Sequence, residues 1–264
     1  MPGVSEPEKV MSRAQLFQIR LVATATVLLI VYPLLRFLWF PGGYFDLSGI
    51  GRLLLVLAGV NLIVGPVLST LVYRPGKRGL MFDLAVLAVL EILVLGWTLL
   101  EIHARRPAIA VFAVDRFELL PYAETDAMAL NADLRAILRG SGPELMYAAL
   151  PTDGETLSRL IDETVFAGQP DIDRRPEFWK PYPEGIGALR AAAQPLARLL
   201  TVNDERATSV RRRLIKKGRG IDDYLYLPIR ARSGDGSIII DAATGYPVDV
   251  LAMDPWPDTP GEAS

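Results

Sequence analysis

Three long apolar segments dominate the first 102 residues of the chain, at 21–40, 53–73 and 80–100. An α-helix rises 1.5 Å per residue, so about 20 apolar residues cross a hydrocarbon core of roughly 30 Å. Only nine charged residues lie between 21 and 102, and 44 of the 58 in the chain follow residue 102. The pattern therefore predicts three transmembrane helices followed by a water-soluble domain.

The first apolar segment has two interpretations. Lys9, Arg13 and Arg20 precede it, as basic residues precede a cleaved signal peptide. However, bulky residues follow Pro33, and the small residues of a cleavage site are not found there. We therefore expect a retained helix, kinked by Pro33.

The remaining chain alternates between helical and strand periodicity. Residues 109–114 form a short β-branched run typical of a strand. Four helices are predicted: one at 126–138, one that begins at a Thr152/Glu155 capping box, one at 186–200 unless Pro195 breaks it, and one from an Asn203 cap to Lys217. Strands at 224–231, 237–241 and 248–253, separated by turn residues, predict an antiparallel β-meander. The expected fold class is a membrane protein with three transmembrane α-helices and a soluble α+β domain.

Lysine and arginine counts in the flanking segments predict the orientation. Six lie on the N-terminal side of the membrane and four on the other, which favours a cytoplasmic N-terminus. We predict a cytoplasmic segment at 1–20, a membrane region at 21–102, a periplasmic domain at 103–257 and a disordered tail at 258–264. The expected location is the inner membrane of a Gram-negative bacterium.

The composition excludes several kinds of chemistry. The 264 residues are 51% hydrophobic and 22% charged, with a net charge of −2, which gives no reason to expect a nucleic-acid partner. The chain has no cysteine and a single histidine, so disulfides, thiol catalysis and histidine-rich metal sites are excluded. No catalytic motif is found, and we predict no enzyme activity, no metal and no cofactor.

Glu91 and Asn61 lie near the centres of the third and second predicted spans. We expect these two helices to be antiparallel neighbours, with the Asn61 amide hydrogen-bonded to the Glu91 carboxyl. Three roles are open for Glu91: stabilising the helix pair, docking the transmembrane helix of a partner, or relaying protons.

Asn61 is also a candidate for partner binding, as are two residues near the ends of the predicted spans, Asp83 and Trp39. Asp83 lies within a turn of the cytoplasmic boundary, where it can reach Lys77 or Arg78 as an interfacial anchor, and Trp39 suits the outer interface. An aspartyl-protease role for Asp83 with Glu91 is disfavoured. Eight residues along a helix separate the two groups by about 12 Å, too far for a shared proton.

Two surface features of the soluble domain are candidates for partner binding. Arg211 and Arg212 belong to a dense basic cluster on a predicted helix, which is either a solvated face or a contact for an acidic partner. Trp179 and Tyr182 lie in a proline-rich aromatic stretch, which either packs over the domain's own core or forms an exposed recognition loop.

Several motifs in a fixed order resemble the TfpX/TfpZ family of type IV pilin accessory proteins. They are Trp39-Phe40-Pro41-Gly42-Gly43-Tyr44-Phe45, Gly65-Pro66, Arg74-Pro75-Gly76-Lys77-Arg78-Gly79 with Phe82-Asp83-Leu84, Val111-Phe112-Ala113-Val114-Asp115-Arg116-Phe117, Leu227-Pro228 and Asp254-Pro255-Trp256. The resemblance extends over nearly the whole chain, from the first span to Trp256.

The resemblance implies an inner-membrane accessory protein that chaperones a major pilin or modulates pilus assembly. Its implied partners are the type IV major pilin, inner-membrane lipid and other pilus assembly proteins, and it implies no catalytic residue. The alternatives are a membrane-anchored sensor or another non-catalytic interaction protein, and then a membrane-embedded hydrolase. The short cytoplasmic segments leave little room for the output domain of a sensor.

Overall fold

The computed structural model describes residues 11–74, 77–126, 128, 130–138, 142–202, 204–215 and 220–256. The chain forms two compact units. The first unit comprises the chain up to Leu35 together with Ile50–Ile102, and the second comprises Arg36–Gly49 together with the chain from His103 onward. The predicted tail at 258–264 lies outside the described residues.

The first unit contains three helices that are long and apolar enough to cross a membrane. Helix α1 spans Arg13–Pro33 and continues as a π-helical segment, Leu34–Trp39; the other two are α3, Ile50–Val72, and α4, Leu80–Ala104. Between α1 and α3 lies the short helix α2, Tyr44–Leu47, which belongs to the second unit. The three predicted long apolar helices are confirmed, each with somewhat different ends.

Local interactions explain the ends of the first span. Helix α1 begins earlier than predicted because Ser12 and Gln15 form a capping box: Gln15 N donates to Ser12 Oγ (3.1 Å), and Ser12 N donates to Gln15 Oε1 (2.9 Å). Pro33 has no amide hydrogen for the preceding turn, and the chain widens into the π-helical segment directly after it. Where the sequence predicted a kink at Pro33, the structure has a change from α-helix to π-helix.

The second unit is built on a mixed β-sheet of eight strands, counted over the described residues. The strands are β1 Pro107–Ala113, β2 Arg116–Pro121, β3 Glu144–Ala148, β4 Trp179–Pro181, β5 Gln194–Pro195, β6 Tyr224–Ala231, β7 Gly234–Asp241 and β8 Pro247–Leu251. Their order is β4-β3-β1-β2-β6-β7-β8, with β5 also paired to β6. The pairs β1/β3 and β2/β6 are parallel, and the others are antiparallel.

Strand β1 lies in the middle of this sheet and is buried at every position. Ala110 and Phe112 pack into a core on one face, while Ile109 and Val111 pack into a core on the other. Burial on both faces explains why the segment is continuously apolar instead of alternating. The predicted strand at 109–114 and the meander of β6, β7 and β8 are both confirmed, as is the α+β fold class.

The helices of the second unit that follow β2 differ from several of the predicted helices. They are α5 Tyr122–Asp126, α6 Ala132–Ile137, α7 Gly154–Val165, α8 Ile186–Ala192, α9 Leu196–Val202 and α10 Asp204–Ile215. The single helix predicted at 126–138 is wrong, because Asn131 caps a separate helix by accepting a hydrogen bond from Leu134 N (2.8 Å). The helix predicted at 186–200 is interrupted where Gln194 and Pro195 pair with β6.

The predicted capping box at Thr152 is also wrong. Asp153 is the N-cap of α7, and its Oδ1 accepts a hydrogen bond from Thr156 N (2.8 Å). Aspartate and threonine both serve as N-caps, so the sequence left two adjacent candidates. Asn203 and residues 216–219, predicted to bound the next helix, lie outside the described residues.

The segment Arg36–Gly49, which was predicted to be part of the membrane region with residues 36–40 in its first span, packs as part of the second unit. Leu47 joins the core that contains Phe112 and Ile238. A Cβ on Gly43 would lie 1.6 Å from the Val250 carbonyl oxygen, so only glycine allows this backbone to approach β8. Ser233 Oγ donates a hydrogen bond to Ser48 O (2.7 Å).

Candidate partner-binding sites

Three helices of the first unit meet at a polar cluster formed by Arg20, Ser69 and Glu91. Arg20 Nε donates a hydrogen bond to Ser69 Oγ (2.9 Å), and Arg20 Nη2 donates to Glu91 Oε1 (3.4 Å). Ser69 is buried, whereas the side chains of Arg20 and Glu91 are 22% and 33% exposed. Charged groups within a membrane require such partners. The cluster therefore connects α1, α3 and α4 through one arginine.

Gly65 provides the space that the Glu91 carboxylate occupies. A Cβ at position 65 would lie 2.7 Å from Glu91 Oε1 and 3.1 Å from Glu91 Cδ, so the carboxyl group rests on the bare backbone of α3. A glycine in a membrane helix allows a neighbouring element to approach closely. The group that approaches α3 at Gly65 is the side chain of Glu91.

Asn61 makes no hydrogen bond to Glu91 among the described residues. Its Nδ2 donates to the Leu57 carbonyl oxygen in the preceding turn of α3 (2.8 Å). Thr26, Thr70 and Thr98 make the same kind of bond within their own helices, because a backbone carbonyl is the nearest acceptor for a short polar side chain. The predicted Asn61–Glu91 hydrogen bond is therefore wrong, and Arg20 is the partner that the sequence did not indicate.

Asp83 forms an ion pair with Lys77 at the start of α4. This is one of the two contacts expected for an interfacial anchor. Glu91 is paired with Arg20 instead, so Asp83 and Glu91 have separate partners.

Trp39 belongs to a row of stacked side chains in the second unit. Its indole meets the ring of His103 edge-on at 4.9 Å, and His103 lies 5.0 Å from the ring of Tyr122. The guanidinium of Arg106 covers Tyr122 at 4.5 Å, while Arg106 Nη2 donates to Leu138 O (2.7 Å). The row joins the chain after α1 to the end of α4 and to the start of α5.

Trp179 and Tyr182 are buried in the cores of the second unit. Tyr182 Oη donates a hydrogen bond to Gly245 O (2.6 Å), and burial raises the pKa of this hydroxyl. Trp179 Nε1 has no hydrogen-bond partner within the part of the chain that the structure describes. The aromatic stretch thus packs over its own domain.

Arg211 and Arg212 are exposed on α10. The adjacent Arg213 differs, because its Nη1 binds Asp249 Oδ2 at 3.0 Å and so connects α10 to β8. Lys216, Lys217 and Arg219, the other predicted members of the basic cluster, lie outside the described residues.

A charged cleft that the sequence analysis missed lies beside the turn between β1 and β2. It has a volume of 590 Å³, and its charged lining residues are Asp115, Arg116, Glu118, Asp171, Asp173, Arg174 and Arg230. We call it the Glu118 cleft. Glu118 and Asp173 are both more than nine-tenths buried. The available signal was a glutamate flanked by Phe117 and Leu119 within an apolar run.

Two arginines flank Glu118 at distances longer than a hydrogen bond. Arg230 Nη1 lies 3.7 Å from Glu118 Oε1, and Arg174 Nη1 lies 3.8 Å from Glu118 Oε2. Arg174 binds Asp173 Oδ2 more closely, at 2.9 Å, and Arg116 binds Asp115 at 2.8 Å. Two of the three arginines of the cleft are thus drawn toward other carboxylates.

Burial is the main cause of a raised proton affinity at Glu118. It raises the pKa of Glu118 to about 7, and the nearby Asp173 carboxylate adds to this rise, against the opposing effect of Arg174, Arg230 and Arg116. The pKa of Asp173 is also raised, chiefly by burial. The three guanidiniums therefore do not compensate the loss of water around the buried carboxyls.

Val114 lies at the rim of the cleft in a strained conformation. Its φ is +57°, which a β-branched residue rarely adopts, and it is 58% exposed. Such strain is concentrated at binding and switch sites in proteins.

The chain is similar to fimbrial assembly proteins of Dichelobacter nodosus. It is 24% identical to the serogroup I protein over 245 residues, which cover 86% of this chain and 90% of the relative. The serogroup E1 protein is 24% identical over 234 residues, with the same coverage, and the protein of serogroups C1 and C2 is 24% identical over 109 residues, covering 40% of this chain and 83% of the relative. No family model and no solved structure matches the chain.

Proposed function

We propose that this chain is a non-catalytic, inner-membrane accessory protein of type IV pilus assembly, of the TfpX/TfpZ kind. It binds the major pilin through its transmembrane helices and its outer domain, as a chaperone or assembly modulator. The observation that carries the proposal is the similarity to fimbrial assembly proteins over 86% of the chain. That share is larger than either unit, so the likeness includes both the apolar helices and the second unit.

The order of the units along the chain supports the proposed topology. Arg36–Gly49 and the chain from His103 belong to one unit, and two helices of membrane-spanning length connect them. Two crossings return the chain to the side it left, whereas α1 leaves the N-terminus on the opposite side. The excess of lysine and arginine in the N-terminal flanks favours the cytoplasm for that side. The second unit is then periplasmic.

The carboxylate of Glu91 is the docking point that we propose for the pilin's transmembrane helix. Its ion pair with Arg20 stabilises the bundle, yet one third of its side chain remains exposed. An exposed charge at the centre of a span is unfavourable in lipid, and a partner helix with a polar group would cover it. The two roles, stabilising the bundle and docking, are thus combined in one residue.

A photo-crosslinking experiment tests this proposal. Val94 lies one turn after Glu91 on nearly the same face of α4, whereas Leu93 points to the opposite face, since successive residues are about 100° apart. Both are well exposed. We expect a photoreactive amino acid at Val94 to form an adduct with the major pilin in cells, and the same probe at Leu93 to label mainly lipid.

Two outcomes would overturn the proposal. One is the absence of a pilin adduct from both positions, together with normal piliation in a strain that lacks the chain. The other is equal pilin labelling at Val94 and Leu93, which would indicate random encounters in the membrane.

A further inference from the structure

We propose that the Glu118 cleft binds a basic side chain, a lysine ammonium or an arginine guanidinium, from the outer globular part of the protein that the transmembrane helices hold. This inference rests on the proposed function for the identity of that partner, the major pilin. It adds a second contact of defined chemistry, in the unit that contains the β-sheet.

The carboxyl groups of Glu118 and Asp173 have unused hydrogen-bonding capacity. Glu118 accepts no hydrogen bond from a side chain within the described residues, and the two guanidiniums nearest to it stand at 3.7 and 3.8 Å. Asp173 Oδ1 is buried and likewise has no hydrogen-bond partner among those residues. A buried acceptor without a donor, such as Asp173 Oδ1, is unfavourable, and a cationic donor is the group that would satisfy it best.

The charges of the cleft also favour a cationic ligand. Four carboxylates and three guanidiniums line the cleft. All three arginines favour the charged form of Glu118, yet burial and Asp173 outweigh them. The cleft therefore has one more carboxylate than guanidinium in its lining, and a further cation would balance the charge.

The rim of the cleft offers an apolar surface to a protein ligand. Val114 presents an exposed apolar side chain from a strained turn directly beside the charged groups. A protein–protein contact combines apolar surface with polar groups that bind across it. A free ion or a small solute would make no use of Val114, so we identify the ligand as a side chain of a protein.

Protonation gives the site a signature that a purely structural cluster lacks. A proton and a basic side chain compete for the same carboxyl oxygens. Affinity for the partner should therefore rise with pH through about 7, where Glu118 loses its proton. A substitution that only perturbs folding would change the amount of bound partner without changing this pH dependence.

The experiment uses the full chain and the major pilin in isolated membranes, with a photoreactive amino acid at Val114. The same probe at Phe166, which is exposed and does not line the cleft, serves as the matched control. We expect a pilin adduct from Val114 and not from Phe166, with a yield that increases from about pH 6 to about pH 8. Glu118→Gln keeps the size of the side chain, and should lower the yield by about tenfold and remove its pH dependence.

The outcomes separate this inference from the proposed function. If the Val94 probe captures pilin while the Val114 probe captures none, or captures lipid, the cleft is not a contact and the membrane contact stands. If neither probe captures pilin, both proposals are wrong. A Val114 adduct whose yield is the same in Glu118→Gln, at every pH, would also overturn the inference, because the carboxylate would then have no part in binding.

Discussion

Glu91 in the first unit and Glu118 in the second are both carboxylates placed near arginine, and their charges are compensated in different ways. Glu91 makes one ion pair at 3.4 Å and rests on the bare backbone of Gly65. Glu118 has guanidiniums on two sides at longer distances, and one of them binds Asp173 more closely. The first arrangement holds helices together, whereas the second leaves the carboxylate with capacity for a further donor.

The largest expected difference between the units is the loss of stability when one glycine in each is replaced by alanine. A Cβ on Gly43 would lie 1.6 Å from a backbone oxygen of β8, whereas a Cβ on Gly65 would meet the movable end of the Glu91 side chain. We expect Gly43→Ala to destabilise the second unit by about 3 kcal/mol or more, and Gly65→Ala to cost about 1 kcal/mol. Thermal unfolding of the purified chain in detergent measures both.

Gly187→Ala is the matched control for these two substitutions. Gly187 lies in α8, and a Cβ at this position would have no described atom within 4 Å, so alanine there should be neutral or slightly stabilising. Equal unfolding temperatures for the Gly43 and Gly65 variants would contradict the close packing of the segment 36–49 against β8.

The ion pair of the first unit should show a measurable coupling energy. We expect Arg20→Gln and Glu91→Gln each to destabilise the helical unit by about 1–2 kcal/mol, since each leaves its partner's charge without compensation in the membrane. The double variant should cost less than the sum, with a coupling of about 0.5–2 kcal/mol. Unfolding of the four proteins in mixed micelles provides the cycle, and strict additivity would indicate that the two groups do not interact.

The stability that Glu118 contributes to the second unit should depend on pH. The pKa of Glu118 in the folded chain, about 7, lies above its ordinary value of 4.5, so the folded state binds this proton more tightly than the unfolded state. The resulting stability is fully present below about pH 4.5 and is lost as the pH rises through about 7. Relative to Glu118→Gln, the unsubstituted chain should lose about 1–2 kcal/mol between about pH 5 and about pH 8.

Glu155→Gln is the control for this titration, because the Glu155 side chain is 87% exposed on α7. Its stability curve should run parallel to that of the unsubstituted chain. A Glu118→Gln curve that is also parallel would show that Glu118 has an ordinary pKa in the fold.

The smallest expected effect concerns the strain at Val114. Asparagine tolerates a positive φ better than a β-branched residue, so Val114→Asn should stabilise the second unit by about 1 kcal/mol in thermal unfolding. Val114→Ala keeps the unfavourable φ and should change the stability less. If Val114→Asn also lowers capture of the pilin by neighbouring probes, the strained turn is maintained for binding at the expense of stability.

The parts that the sequence predicted well are those with a strong local signal. The three apolar spans, the strand at 109–114 and the meander after residue 224 follow from hydrophobic periodicity and turn residues. Strands β2, β3 and β4 were missed, because pairing with distant segments decides their existence. Arg20 was likewise assigned only to the N-terminal flank, since nothing in its local sequence indicates a reach across to Glu91 and Ser69.

The candidate site residues divide in the same way, into those with a local sequence signal and those that depend on distant segments. A charge in an apolar span is visible in the sequence, which is why Glu91 was found, but its partner depends on the packing of three helices. Glu118 is flanked by apolar residues in a strand, and its significance comes from Asp173, Arg174 and Arg230, which the fold brings in from remote segments. Such clusters are products of tertiary structure.

One measurement tests the central claim, that the chain holds the major pilin at two separate contacts. It is the amount of pilin that co-purifies with the full chain from solubilised membranes, compared among the unsubstituted protein, Glu91→Gln, Glu118→Gln and the double variant. We expect each single substitution to reduce the recovered pilin and the double variant to reduce it by the product of the two factors, because distant sites act independently. Equal recovery of pilin from all four proteins, or none from the unsubstituted chain, would contradict the claim.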